Sequence, residues 1–493
     1  MCLFLYNMDH ELQAGKNIAW GAISQIFLRI FGLVFFVYMT YRLHETGMGQ
    51  YGFVTSFVLF WFIVSDFGAG GYLYREWSKG DKKVDEVEKD FNVVFTMRFF
   101  ISLVVFIPFL IINYYINREV LLPLALFFAV TFFSIFISLA DNYLSAINYF
   151  KYTTVRTIIE KLTILVVGGI LLFFWPRLEM VFIAMLAAQF VSLAYYSFSV
   201  LPFKFCLVFN PARTKELILK GLPFLLLTLF ISIYSRIDMV MLRYMADFDA
   251  VGWYSAAYKF LDTASIVAVG LYLPSVFPIL SSLYKEEIKT KFIDFFYKSL
   301  RIVFSLTLLI TIAIIFFSPL LISWFFPDTF GPSVLSLRIL ILVLILGALS
   351  LLFNNLLFIQ NKEKTSLYII IFSACFNIGL NFLLIPKYSL YGAAWATVIA
   401  EAVNLFLLQY FAKWEKDRKI IVKIIVVVLA NILIMLALKF SGQLNNLFIG
   451  AAVILLNTLV LYKIKLWTMD DIAMFWNPIR NKFNTIFKSE EII

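Results

Sequence analysis

Apolar runs of about 20 residues recur from one end of the chain to the other, with short polar turns between them and no stretch long enough for a soluble domain. Fourteen runs read as spans: 17–43, 50–74, 91–113, 120–147, 157–175, 180–201, 217–245, 250–283, 299–326, 333–359, 366–386, 390–412, 420–440 and 447–466. Nearly all are long enough to cross a hydrocarbon core of about 30 Å at about 1.5 Å per helical residue. The expected fold is an all-α polytopic membrane protein with about 14 transmembrane helices.

Charge sets the orientation. With the N-terminus inside, about 29 of the 41 Lys and Arg fall on inner segments, and the outer loops hold Arg42, Arg118, Arg177, Arg243, Lys387 and Lys439. That bias follows the positive-inside rule and predicts both termini in the cytoplasm.

The pattern also repeats. Tyr41, Gly49, Tyr51 and Phe57 match Tyr244, Gly252, Tyr254 and Phe260 at an offset of 203. Asn142, Leu144, Ile147 and Thr153 match Asn354, Leu356, Ile359 and Thr365 at 212, an offset that Gln189 and Glu401 keep. Spans one to six and seven to twelve thus read as two copies, although chance similarity between apolar helices would look much the same. Six is even, so the copies are parallel, and in such transporters the site lies between the halves. The expected organisation is a cytoplasmic leader (1–16), a six-helix bundle (17–203), a cytoplasmic linker (204–216), a second six-helix bundle (217–412), two extra transmembrane helices (413–466) and a cytoplasmic amphipathic tail (467–493). The tail sets Trp467, Phe475, Trp476, Phe483 and Phe487 among charges, which suits an interfacial segment. The start, with Met8 as a second possible initiator, has no basic n-region or cleavage site of a signal peptide.

Composition agrees with the spans: 62% of residues are hydrophobic, 15% are charged, and mean hydropathy is +0.90. The net charge of +10 is therefore a topology signal rather than a nucleic-acid footprint. Cys2, Cys206 and Cys375 have no metal spacing, and His10 and His44 lie outside or at the edge of the apolar runs, so no metal site is expected. There is no P-loop, dinucleotide fingerprint or nucleophile elbow, and no catalytic residue is assigned.

Charges inside the spans carry the functional signal, because an ionised side chain at a helix centre costs about 2.5–3.5 kcal/mol on insertion scales. Arg29 shares a face of span one with Gln25. Asp66, Arg98 and Asp141 lie in spans two to four, where pairing between helices or snorkelling is the alternative to a functional role. Span seven carries Arg236 and Asp238, and span eight carries Lys259 and Asp262, which are three apart and able to pair. Arg29, Arg236 and Lys259 are the candidates for holding an anion in a central cavity, since a guanidinium fork suits phosphate. Ser373, Asn377 and Asn381 share one face of span eleven, and Thr397, Glu401 and Asn404 share one of span twelve. Glu401 is a candidate proton or sodium site, and an interhelical hydrogen-bond clamp is the other reading of the set. Pro274 and Pro278 predict a kink in span eight that is either a hinge or a static bend.

LRIFGLVFFVYMTYRLHETGMGQYGF, SDFGAGGYLYREWSKGD, SRIDMVMLRYMADFDAVGWYSAAYKF and NIGLNFLLIPKYSLYGAAWATVIAE together resemble the polysaccharide biosynthesis membrane proteins. These are the O-antigen and capsular repeat-unit flippases, in the superfamily that also holds MATE exporters and lipid II flippases. The resemblance implies two six-helix bundles plus two helices, alternating access, and a bacterial or archaeal plasma-membrane location. It implies a polyprenyl-diphosphate oligosaccharide as cargo, a polymerase and chain-length regulator as partners, no cofactor, and drive by H+ or Na+. On it, Arg29, Arg236 and Lys259 would hold the diphosphate, and Asp66, Asp262 and Glu401 would couple ions. A MATE-like drug or cation exporter remains an alternative, although cationic cargo favours a more acidic cavity. A lipid II flippase would share the cationic site. A membrane polymerase or ligase would need a large catalytic outer loop, and the outer loops are short.

Overall fold

The computed structural model describes residues 10–80, 84–202, 205–266, 268, 273–285, 289–414, 417–443 and 445–466, with side chains from Phe31 onward except 84, 273–275 and 418. Every long element among them is an α-helix. In chain order these are α1 (His10–Asp66), α2 (Ala69–Trp77), α3 (Val84–Ile116), α4 (Leu121–Ala146), α5 (Phe150–Phe174), α6 (Leu178–Tyr195), α7 (Pro211–Met245) and α8 (Phe248–Ser265). They continue with α9 (Leu273–Lys285), α10 (Lys289–Phe325), α11 (Ser333–Leu340), α12 (Leu342–Ile359), α13 (Glu363–Ala412), α14 (Arg418–Phe440) and α15 (Leu447–Lys463). Ten helices among the described residues are long and apolar enough to cross a membrane.

The fourteen spans map onto this order without a gap. α1 carries span one and span two as far as Asp66, broken at His44 (φ 55°), with the end of span two turned into α2 at Gly68, and α13 carries spans eleven and twelve, broken at Ser389 (φ 49°). Span eight includes α8 and α9, and span ten is divided into α11 and α12 at Ile341. The backbone of α1 begins at His10, inside the stretch read as a leader. The amphipathic tail lies outside the described residues.

The repeat reappears as matching chain turns. His44 ends the first span, and Asp247, 203 residues on, caps α8 by accepting from the Ala250 amide at 2.7 Å. Asn148 (φ 61°) and Asn361 (φ 56°), one residue off the 212 offset, close α4 and α12. In each case the next amide donates to the carbonyl five residues back, Tyr149 to Leu144 at 2.8 Å and Lys362 to Leu357 at 2.9 Å. This is one C-terminal capping motif used twice.

The chain forms two compact units, the first ending at Arg243 and the second starting at Tyr244. The seventh span, which the repeat groups with the second bundle, makes its close contacts with the first unit. Gly221 on α7 meets Gly68 backbone to backbone. Gly68 sits at φ 70°, and a Cβ there would run into the Gly221 carbonyl. Ser56 donates to Met239 Sδ at 3.3 Å, and Arg213 grips Asp90 on α3 with two hydrogen bonds of 2.8 and 3.0 Å. The preceding linker is strapped along α3, where the Cys206 amide donates to Asn92 Oδ1 (2.9 Å) and the Val208 amide to Thr96 Oγ1 (2.7 Å). Phe205 packs against Phe91 and Phe95 beside Trp77 and Tyr143.

In the second unit, α14 and α15 are joined by a buried amide pair, Asn431 Nδ2 to Asn457 Oδ1 at 2.8 Å, which is how polar groups hold apolar helices together. Their outer faces are apolar and exposed, including Ile425, Leu429, Leu433, Leu455 and Leu459, as lipid contact requires.

Candidate functional site

The first unit holds two sets of paired full charges, in which Arg98 is fully buried and the others are half-buried. Asp66 ends α1 and ion-pairs with Arg98 on α3, which is fully buried. Arg98 Nη1 also donates to the Ile135 carbonyl of α4 at 2.7 Å. Gly70 on α2 makes room for this group: a Cβ there would stand 2.5 Å from Arg98 Nη2 and 2.9 Å from Asn142 Nδ2. Asp141 on α4 accepts from the Tyr196 hydroxyl and pairs with Arg156 Nη2 on α5 at 3.1 Å. Arg156 further pairs with Glu160 and donates to Thr157 Oγ1 at 3.0 Å, and Lys161 closes on Glu160 at 2.7 Å. Three acids face three bases, so the set balances. It holds helices together without offering a net charge to an anion.

The second unit holds a largely neutral network. Ser373 donates to Asn404 Oδ1 and Asn404 Nδ2 donates to Glu401 Oε1, each at 3.2 Å. Asn381 Nδ2 donates to Asn377 Oδ1 at 2.8 Å, Ser366 to Asn354 Oδ1 at 2.6 Å, and Tyr254 and Thr397 share a hydroxyl contact of 3.3 Å. Asn377 Nδ2 and Asn381 Oδ1 are buried and find no partner among the described residues. Glu401, only 6% exposed, is the one carboxylate of the set, facing Gly347 on α12. No cluster of three His, Cys, Asp or Glu able to hold a metal occurs among the described residues.

The sequence candidates fall as follows. Arg236 is half-buried on α7 of the first unit, near Tyr51 of α1. Neighbouring Asp238 is buried and accepts from the Met239 amide at 2.8 Å. Lys259 and Asp262 are half-buried on α8 of the second unit. Asp66 is the counter-ion of Arg98, and Arg98 and Asp141 are paired between helices, not snorkelling. Pro278 is exposed within α9. The side chains of Arg29, Gln25 and Pro274 lie outside the described residues.

Five participants were not singled out by sequence: Gly70, Arg156, Glu160, Lys161 and Tyr196. The signal for two was present, since Arg156 and Glu160 are four apart at the start of span five and share a helix face.

Comparison with known proteins fits these features. The model of the polysaccharide biosynthesis protein family matches residues 14–284, more than half of the chain's 493. The chain belongs to this family. No curated protein matches it by sequence. Among solved structures, it is similar to the lipid II flippase MurJ in an inward closed conformation, with a TM-score of 0.68 at 18% identity, covering 93% of this chain and 99% of that one. It is also similar to an inward-facing multidrug resistance MATE family transporter of the MOP superfamily, with a TM-score of 0.66 at 15% identity, covering 80% and 97%. A MOP superfamily transporter from Pyrococcus furiosus aligns with a TM-score of 0.51 at 14% identity, covering 82% and 94%. At these identities the likeness establishes the fold. The family member described here is an all-α, multi-pass membrane protein with the MOP architecture.

Proposed function

We propose that this protein is a flippase that moves polyprenyl-diphosphate-linked oligosaccharide repeat units from the cytoplasmic to the outer leaflet by alternating access. The polymer served is a surface polysaccharide: O-antigen, capsule or exopolysaccharide. The observation that carries the reading is basic charge within apolar helices of a polysaccharide-family protein, at Arg236 on α7 and Lys259 on α8. Cations at such positions are costly unless they meet water, a counter-charge or an anionic cargo, and a diphosphate is doubly suited to them. Arg29, at a similar depth by sequence, belongs to the same proposal.

Coupling to H+ or Na+ is assigned first to Glu401, a buried carboxylate among neutral amides, ahead of Asp262 and of Asp66, which already serves Arg98. Pro274 and Pro278, both in the first half of α9, are proposed as a hinge in span eight. The protein sits in the plasma membrane with both termini cytoplasmic, and a polymerase and chain-length regulator would take its product. It transports rather than catalyses.

A second reading, lipid II as cargo, is suggested by the fold likeness to MurJ. The MurJ match covers 93% of this chain, more than residues 1–412 can hold, so it takes in spans beyond the twelfth. Lipid extracts from a host depleted of this protein separate the readings. The proposal expects accumulation of a polyprenyl-diphosphate oligosaccharide in the cytoplasmic leaflet, with surface polymer lost. Accumulated lipid II would favour the second reading, and normal lipids with new sensitivity to cationic drugs would favour an exporter.

A further inference from the structure

The second unit contains a cavity of about 590 Å³ where α9, α10, α12 and α13 begin or end. Its walls include Tyr284, Phe292, Phe296 and Trp414, and its polar lining is Lys289, Lys413 and Gln360. No carboxylate lines it among the described residues. The Trp414 ring is held by Phe353, Tyr297 and Phe296 at centroid distances of 5.0, 5.7 and 5.9 Å, so this wall is stiff.

Two buried polar atoms here are unsatisfied among the described residues: the Trp414 Nε1 donor and the Gln360 Oε1 acceptor. Leaving such groups unpaired is expensive. An indole N–H only donates and an amide oxygen only accepts, so a ligand that satisfies both brings an acceptor and a donor. A carboxylate brings only acceptors and an ammonium only donors, whereas hydroxyl groups bring both. The two charged side chains that line the cavity among the described residues, Lys289 and Lys413, are both basic. Lys289 opens the 37-residue helix α10, whose N-terminal dipole adds to its own charge. Lys413 turns the chain out of α13 in a left-handed conformation (φ 46°). Just outside, partial burial and then Lys413 push the Lys362 ammonium below the ordinary lysine range.

We infer that this cavity binds a glycosyl phosphate, with the sugar's apolar face on the rings, its hydroxyls on Gln360 and Trp414, and its phosphate toward Lys289 and Lys413. The inference rests on the transport reading above, for which the cavity is a loading site for the sugar end of the cargo. The same chemistry is offered by a lipid-linked sugar diphosphate and by a soluble nucleotide sugar.

The test uses the full-length protein in nanodiscs, titrated separately with a hexose 1-phosphate, the neutral hexose and inorganic phosphate. Saturable binding of the hexose 1-phosphate is expected to exceed that of either part. It should weaken about tenfold in Trp414→Phe, which keeps a ring but loses the donor, and in Lys413→Gln, at an exposed position where folding is unaffected. No saturable binding, equal binding of inorganic phosphate, or no effect of either substitution overturns the site. Stronger competition by a prenyl-diphosphate sugar than by a nucleotide sugar supports loading, and the reverse order overturns it. Proteoliposome flux measured in parallel separates the two ideas: flux without binding overturns the site alone, and binding without flux overturns the transport reading alone.

Discussion

On α5 of the first unit, Arg156 and Glu160 are half-buried partners in a chain of ion pairs. At the same repeat positions, 212 residues on, α13 of the second unit carries Tyr368 and Phe372, which are 69% and 52% exposed. Asp141 likewise corresponds to Phe353, fully packed among rings. The second unit instead buries Asn377, Asn381, Asn404 and the lone acid Glu401. Both copies thus keep their chain turns and capping motifs while exchanging polar content. Matched ion pairs make the first unit intolerant of losing any one charge, because the remaining partner is left buried. In the second unit Glu401 is the buried carboxylate among the described residues, which is why the coupling proposal is tested there first.

The comparison is broken most severely by Arg98→Leu, which strands Asp66 and is expected to destabilise the protein by about 3 kcal/mol or more. Denaturant unfolding in detergent measures it. The double variant Asp66→Leu/Arg98→Leu should recover most of the loss, and equal losses would mean that the pair is not the unit of stability. Gly70→Ala pushes a methyl against the Arg98 guanidinium and should cost about 1–3 kcal/mol in the same assay. Asn404→Leu in the second unit should cost about 1 kcal/mol, as amide clamps between membrane helices are weak. The smallest stability effect, under about 1 kcal/mol, is expected for Glu401→Gln, which keeps an acceptor for Asn404. Ion-dependent stimulation of flux should nonetheless disappear in that variant, and unchanged stimulation would remove Glu401 from the coupling role.

The span count, the span boundaries near His44 and Ser389, and the repeat offsets were readable from hydropathy and spacing, because lipid forces apolar continuity on every crossing. Asp66, Arg98, Asp141 and Glu401 stood out for the same reason. How they pair did not, nor did Arg156 and Tyr196, the partners of Asp141. Which base meets which acid depends on helix rotation and on a close approach such as that at Gly70, neither of which periodicity fixes. Arg156 also fell one residue outside the span assigned to α5, where a charge reads as loop solvation. The attachment of α7 to the first unit rests on the Gly68–Gly221 contact and the Asp90–Arg213 pair, tertiary features that the repeat pattern could not contain.

The central claim is that cations inside the apolar helices carry an anionic glycolipid across the membrane. Its most direct test is leaflet-resolved flux of a polyprenyl-diphosphate oligosaccharide in proteoliposomes containing either the wild-type protein or Arg236→Ala, at matched insertion. The account predicts translocation by the wild type and its loss in the variant. Wild-type flux through Arg236→Ala would contradict the anion-site role of Arg236, and no flux through either protein would contradict the flippase reading itself.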